Sequence, residues 1–146
     1  MSKVSRDECH TKLFDQLVKE KTSNVFDTDA QLLVFAATLG YREGKRLPLK
    51  NQHPITTYEN FVKWNYEGVI DLLALVSTKD PAIFKEKRRA EKIEIFEQYA
   101  NGGLEYLQNW IDARPLTDDP CECIEEILQE LINDAPHDVR DDFHLE

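Results

Sequence analysis

The 146-residue chain predicts an all-α fold: a compact single-domain bundle of about five to six helices, with at most a short extended piece near residues 55–61. Three observations carry that expectation. Leu32, Leu33, Val34, Phe35, Ala36, Ala37 and Leu39 leave almost no polar face, so this run needs cover on every side. Tyr66–Ser77 and Pro81–Asp112 keep apolar residues at helical spacing. Pro120–Asn133 divides into one apolar stripe and one acidic face.

Taken in order, Ser5–Lys21 reads as a first helix, with Cys9, Leu13, Phe14, Leu17 and Val18 on one face. Thr22, Ser23 and Asn24 form a linker, and Val25 and Phe26 suit a brief extended piece. The central helix starts at Thr28, where Thr28 and Gln31 make a capping box and Asp27 and Asp29 suit the helix dipole. Gly40 or Gly44 can end it in the left-handed conformation. Arg42, Lys45 and Arg46 follow, and Pro48 forbids continuation. A buried helix thus delivers a short basic loop to the surface. Lys50–Thr57 reads as a polar loop containing Pro54. Ile55–Trp64 suits both a strand and a helix, and an extended lead-in followed by helix is favoured.

Tyr66–Ser77 is a buried helix ended by Lys79-Asp80-Pro81, and Pro81 can open the next. In Pro81–Asp112, Phe96, Ala100, Leu104, Leu107 and Ile111 share a face whose phase runs through Asn101-Gly102-Gly103. Two interior glycines cost about 2 kcal/mol relative to alanine. Either the helix breaks and resumes there or a neighbouring backbone approaches closely. A phosphate cradle would need a preceding strand, which this segment lacks. Arg114-Pro115 opens a linker, and Asp118 or Asp119 caps the last helix. Its stripe is Ile124, Ile127, Leu128, Leu131 and Ile132. Residues 135–146 read as a frayed tail, and Leu145-Glu146 as an appended pair.

Composition bounds the class. Apolar residues make up 41% and charged residues 32%, which suits one soluble domain with a real core. No stretch reaches membrane-span length, the N-terminus lacks a signal-type apolar region, and three cysteines suit a reducing compartment; together these place the chain in the cytoplasm. The net charge of −10 is unevenly placed. Residues 115–146 hold eleven acids and one base, whereas residues 1–114 hold seventeen of each. Residues 1–114 therefore read as a neutral helical core, and 115–146 as an acidic helix and tail packed on it or appended to it.

No catalytic set or cofactor site assembles from the spacing. Cys121 and Cys123 with His137 suggest zinc, but positions i and i+2 on a helix diverge by about 200° and a fourth ligand is missing. Cys9-His10 reads as a buried thiol beside a histidine rather than a nucleophile and its base. Glu43 with Lys45, and Glu86 with Lys87, resemble fragments of a nuclease carboxylate–lysine motif without its strand or second acid. Arg46 and His53 are loosely spaced like a ribonuclease pair, but lie in a loop. The fold is therefore expected to stand without metal or disulfide.

Two basic segments are the better candidates for a binding surface. Arg42, Lys45, Arg46 and Lys50 against Glu43 give +3. Lys85, Lys87, Arg88, Arg89 and Lys92 against Glu86 and Glu91 also give +3. Both could meet DNA phosphates or a partner. The acidic face of Glu122, Glu125, Glu126 and Glu130 argues against tight DNA binding by the chain alone. It suits a partner, a mask over the basic loops, or solubility.

LLVFAATLGYREGKRLPL, with GVIDLLALVSTKDPAIF and RAEKIEIFEQYANGGLEYL, resembles the DNA phosphorothioation-associated protein 4 family over roughly residues 26–110. The resemblance implies an accessory role beside DNA sulfur-modification and phage-defence genes. It implies no agreed activity and no active-site residues. A non-enzymatic adaptor, acting on other proteins of such a system, is the first expectation. A DNA-binding or regulatory protein using the basic loops is the second, and a metal-dependent nuclease component the third. DNA contact would be weak, membrane contact is not expected, and a homo-oligomer is left open.

Overall fold

The structure, a computed structural model, describes residues 2–19, 26–113 and 120–133. Among these residues it contains a two-stranded sheet and six α-helices. Strand β1 (Lys3–Asp7) leads into a 3-10 turn (Glu8–His10), helix α1 (Thr11–Phe14) and a π-type turn (Asp15–Lys19). Helix α2 (Asp29–Arg42) precedes strand β2 (Gln52–Thr57) and helix α3 (Tyr58–Lys63). Helix α4 (Glu67–Thr78), two 3-10 turns (Pro81–Phe84 and Glu86–Arg88), helix α5 (Arg89–Asp112) and helix α6 (Pro120–Asn133) complete the order. Among the described residues no helix is long and apolar enough to cross a membrane.

The predominantly helical expectation holds, with two corrections at the sheet. Ser5–Asp7 belong to β1 rather than to a first helix, and the polar loop expected at Lys50–Thr57 is strand from Gln52 onward. The reason is non-local. β1 pairs antiparallel with β2, Lys3 opposite Thr57 and Asp7 opposite Gln52. Each strand supplies the other's backbone partners, which neither local pattern announces. The register shifts between Val4 and Ser5, and there Pro54, which lacks an N–H, lies opposite Ser5. Asp7 ends the strand and caps the next turn by accepting the Cys9 N–H at 3.1 Å. Leu13, Phe14 and Leu17 are buried as expected, but Cys9 is exposed, so the buried-thiol reading fails.

Helix α2 begins as its sequence predicts. The Thr28 hydroxyl accepts the Gln31 N–H at 3.2 Å, and the Gln31 side chain returns a bond to the Asp27 N–H at 2.9 Å. It runs through Gly40 and stops before Gly44, whose φ of +65° makes the left-handed exit. The extended lead-in into α3 is also present, with Thr57 as its cap. Helix α4 ends at left-handed Lys79, and Asp80 caps the turn that opens at Pro81.

Helices α2 and α5 form the centre. Helix α5 is continuous through Asn101-Gly102-Gly103, so close backbone approach, not a break, explains the glycines. A Cβ on Gly103 would meet the Ala36 backbone, 2.6 Å from its carbonyl carbon. One on Gly102 would fall 2.6 Å from the carbonyl carbon of Lys45, and one on Gly40 2.9 Å from the Gly103 nitrogen. Around this crossing lie Leu32, Leu33, Ala37, Phe96, Ala100 and Leu104, all buried. Phe61 of α3 meets Phe96 edge-on at 5.6 Å. Ile124 and Ile127 of α6 join the same core. Leu128 and Ile132, expected on that stripe, instead face outward, because the stripe is wider than the strip of α6 that the core covers.

Candidate functional site

The first basic segment is a docked loop rather than a free arm. Gly102 lets the Lys45 carbonyl approach α5 closely. The Leu47 N–H donates to the Gln98 carbonyl at 3.0 Å. The Asn101 amide donates to the carbonyls of Leu47 and Pro48 at 3.3 and 3.2 Å. Three of its four cations are already engaged. Arg42 pairs with Glu43 at 2.8 Å and Lys45 with Glu105 at 3.2 Å. Arg46 donates to Gln98 and Ser77 and lies over the Tyr99 ring. Lys50 is exposed, its backbone N–H held by Asp7 at 2.8 Å.

The second segment behaves alike. Arg88 pairs with Asp80 at 2.9 Å and with Glu91. Arg89 reaches Glu86 at 3.2 Å and Glu59 at 3.7 Å, over the Tyr58 ring. Lys92 is buried, bonded to Asp71 at 2.7 Å and near the Tyr58 hydroxyl. Burial alone would lower the Lys92 ammonium, but the bonds to Asp71 and Tyr58 outweigh it and hold its pKa above the usual value. Lys85 and Lys87 are exposed and make no ion pair among the described residues. The acids on Lys45, Arg88 and Arg89 come from the body of the protein, not from α6. A cation facing such a partner presents less net field to a phosphate.

Beside the docked loop lies a buried polar cluster that segment-by-segment reading missed. His10 is 7% exposed, and its Nε2 meets the Asn101 Oδ1 at 2.8 Å. Because the Asn101 amide nitrogen faces two carbonyls, its oxygen faces His10, which therefore donates from Nε2. Burial lowers the His10 pKa, against the opposing Asn101 bond, so the ring stays neutral at physiological pH. Although Cys9 is exposed, partial desolvation raises its thiol pKa and Asp7 raises it further, the opposite of an activated nucleophile. Burial would also raise Asp7, but the N–H groups of Lys50 and Cys9 prevail and lower it. Glu97 is buried on α5 and accepts the Ser5 N–H at 2.6 Å. Its signal was present in the sequence: Glu97 falls at helical spacing between Ile93 and Ala100, a carboxylate on an apolar face.

The outer face of α6 is different in kind. Leu128 and Ile132 lie one turn apart and are 42% and 46% exposed. Glu125 lies within a turn of Leu128 on the same side, and Glu126 and Glu130 lie round the helix from it, all exposed. The side chain of Glu122 lies outside the described residues, as do those of Cys121 and Cys123, His137 and the tail from 134 onward. The linkers at 22–24 and 114–119 and the cap at 118–119 lie outside them too.

The family model for DNA sulphur modification system-associated protein 4 matches residues 3–145. The chain belongs to that family. The match extends the resemblance read from residues 26–110 to nearly the whole chain, including β1 and α6. No curated protein and no solved structure matches it. This member of the sulphur modification system-associated family thus offers two basic segments whose cations are largely paired within the fold, and one acidic helix with outward apolar residues.

Proposed function

We propose that this protein is a non-enzymatic accessory component of its DNA sulphur modification system, and that it binds a protein partner through the outer face of α6. The observation that carries this reading is the exposure of the apolar pair Leu128 and Ile132, bordered by Glu125, on a helix whose other side carries Glu126 and Glu130. Exposed apolar side chains with charged groups at their edge are a common anatomy of a recognition patch. The acids give it a sign: the matching surface is apolar with a basic rim, and Lys/Arg at that rim would speed encounter.

The reading is tested by capture from the native host. Tagged protein should retain one of the system's own proteins, and Leu128→Ser with Ile132→Ser should weaken that capture about tenfold or more. Both side chains are exposed, so the fold should be nearly unaffected. Glu125, Glu126 and Glu130 to Gln should slow association mainly at low salt. Undiminished capture by the apolar double variant would end the proposal.

The non-enzymatic part is supported by the acids once suspected of nuclease chemistry. Glu43 lies on Arg42 and Glu86 on Arg89, and among the described residues no three metal-ligating side chains gather. Purified protein with Mg²⁺ or Mn²⁺ is expected to leave sulphur-modified and unmodified DNA intact. Cleavage that disappears in Glu43→Gln or Glu86→Gln would refute this.

A further inference from the structure

Between the sheet and α5 lies a cavity of about 680 Å³, lined by Lys3, Ser5, Pro54, Ile93, Glu94 and Glu97 among others. Glu97 is 9% exposed. Its Oε2 accepts the Ser5 N–H, next to the register shift in the sheet. Among the described residues its Oε1 has no hydrogen-bond or ion-pair partner, and Glu97 is one of the residues lining the cavity. Glu94, one turn earlier on α5, adds negative charge, and its described partner is the Gln98 amide at 3.1 Å. Lys3 lines the same cavity but pairs with neither carboxylate. A desolvated carboxylate without a counter-ion is costly to hold. Here it faces a volume of ligand size that has apolar walls at Pro48, Leu49, Pro54 and Ile93.

We propose that this cavity binds an alkylammonium or guanidinium group, with Glu97 Oε1 as its ion-pairing acceptor, Glu94 as the second carboxylate, and the aliphatic stem lying along the apolar wall. Long cationic side chains and polyamines share this build of charged head and apolar stem. A guanidinium would meet the carboxylate through paired N–H donors. The site is independent of the α6 surface, since its residues come from β1, the 48–54 segment and α5.

Burial pushes the Glu97 carboxyl up to about 7, with the Ser5 N–H opposing and Glu94 adding to the rise. The acceptor is therefore half ionised near neutrality. A cationic ligand should bind about tenfold more weakly at pH 6 than at pH 8. The groups facing Glu97 are Glu94 on α5 and the Ser5 N–H on β1, with Lys3 on the same lining.

Nuclear magnetic resonance of the full chain tests this, following the Ser5 amide and the Glu97 carboxyl carbon. The probes are spermidine, a capped Gly-Arg-Gly peptide, and the same peptide with citrulline. Saturable shifts with spermidine alone would assign a free polyamine, and with the arginine peptide alone a partner's side chain. The citrulline peptide should give none. Glu97→Gln keeps an acceptor for Ser5 and should fold, yet weaken binding at least tenfold and abolish its pH dependence. Absence of saturable shifts up to tens of millimolar, or equal affinity in Glu97→Gln, would overturn the proposal.

Discussion

Gly103→Ala should lower stability by about 3 kcal/mol, although alanine favours helices over glycine by about 1 kcal/mol. The added methyl group meets backbone rather than a side chain that can rotate away. It would approach the Ala36 carbonyl on the neighbouring helix, 2.6 Å from the carbon. Helices α2 and α5 must separate to admit it, which loosens the packing of Ala36, Ala37, Ala100 and Leu104. For a chain of this size, 3 kcal/mol corresponds to a fall in Tm of about 10 °C. Gly68→Ala is the control. Outside its own helix backbone and chain neighbours, no described atom lies within 4 Å of its Cβ position, so that substitution should stabilise by about 0.4–1 kcal/mol. Thermal melts of the two variants should move in opposite directions. Equal shifts would mean that the crossing is looser than described.

Glu97→Gln should stabilise the protein by about 3 kcal/mol at pH 8 and hardly at all at pH 4. The Glu97 carboxyl rises from an ordinary 4.5 to about 7 in the folded state, chiefly through burial. Below 4.5 folded and unfolded chains both hold the proton, so there is no penalty. Between 4.5 and 7 the unfolded chain releases it first, and folded stability declines as pH rises. Above 7 both are ionised and the penalty is constant. Glutamine never ionises yet can still accept the Ser5 N–H. Urea unfolding of both proteins at pH 4 and pH 8 isolates the difference. A gain that does not depend on pH would contradict the buried-carboxylate account.

How much was legible followed from how local each signal is. Helix α2 announces itself through Thr28, Gln31 and its apolar run, and α6 through its two faces, because caps and periodicity act within a few residues. The sheet was hidden. Ser5, Arg6 and Asp7 are polar yet buried, while Gln52, His53 and Pro54 are exposed, so neither strand alternates as a half-buried strand should. Their pairing joins residues about fifty positions apart. The Asn101-Gly102-Gly103 question had two answers in sequence, and the decision rests on Ala36 and Lys45, which belong to another segment. The two basic clusters are visible in the sequence. The pairing of Lys45, Arg88 and Arg89 with Glu105, Asp80 and Glu59 is not, because net charge counted along a segment omits acids brought in by the fold.

The central functional claim is that α6 carries the partner interface. Amide hydrogen exchange, measured on the free protein and on the complex recovered from the host, tests it most directly. Partner binding should slow exchange across Pro120–Asn133 while leaving the loop of Arg42–Lys50 unchanged. Protection of that loop with α6 unaffected would contradict the claim and return the basic segments to first place.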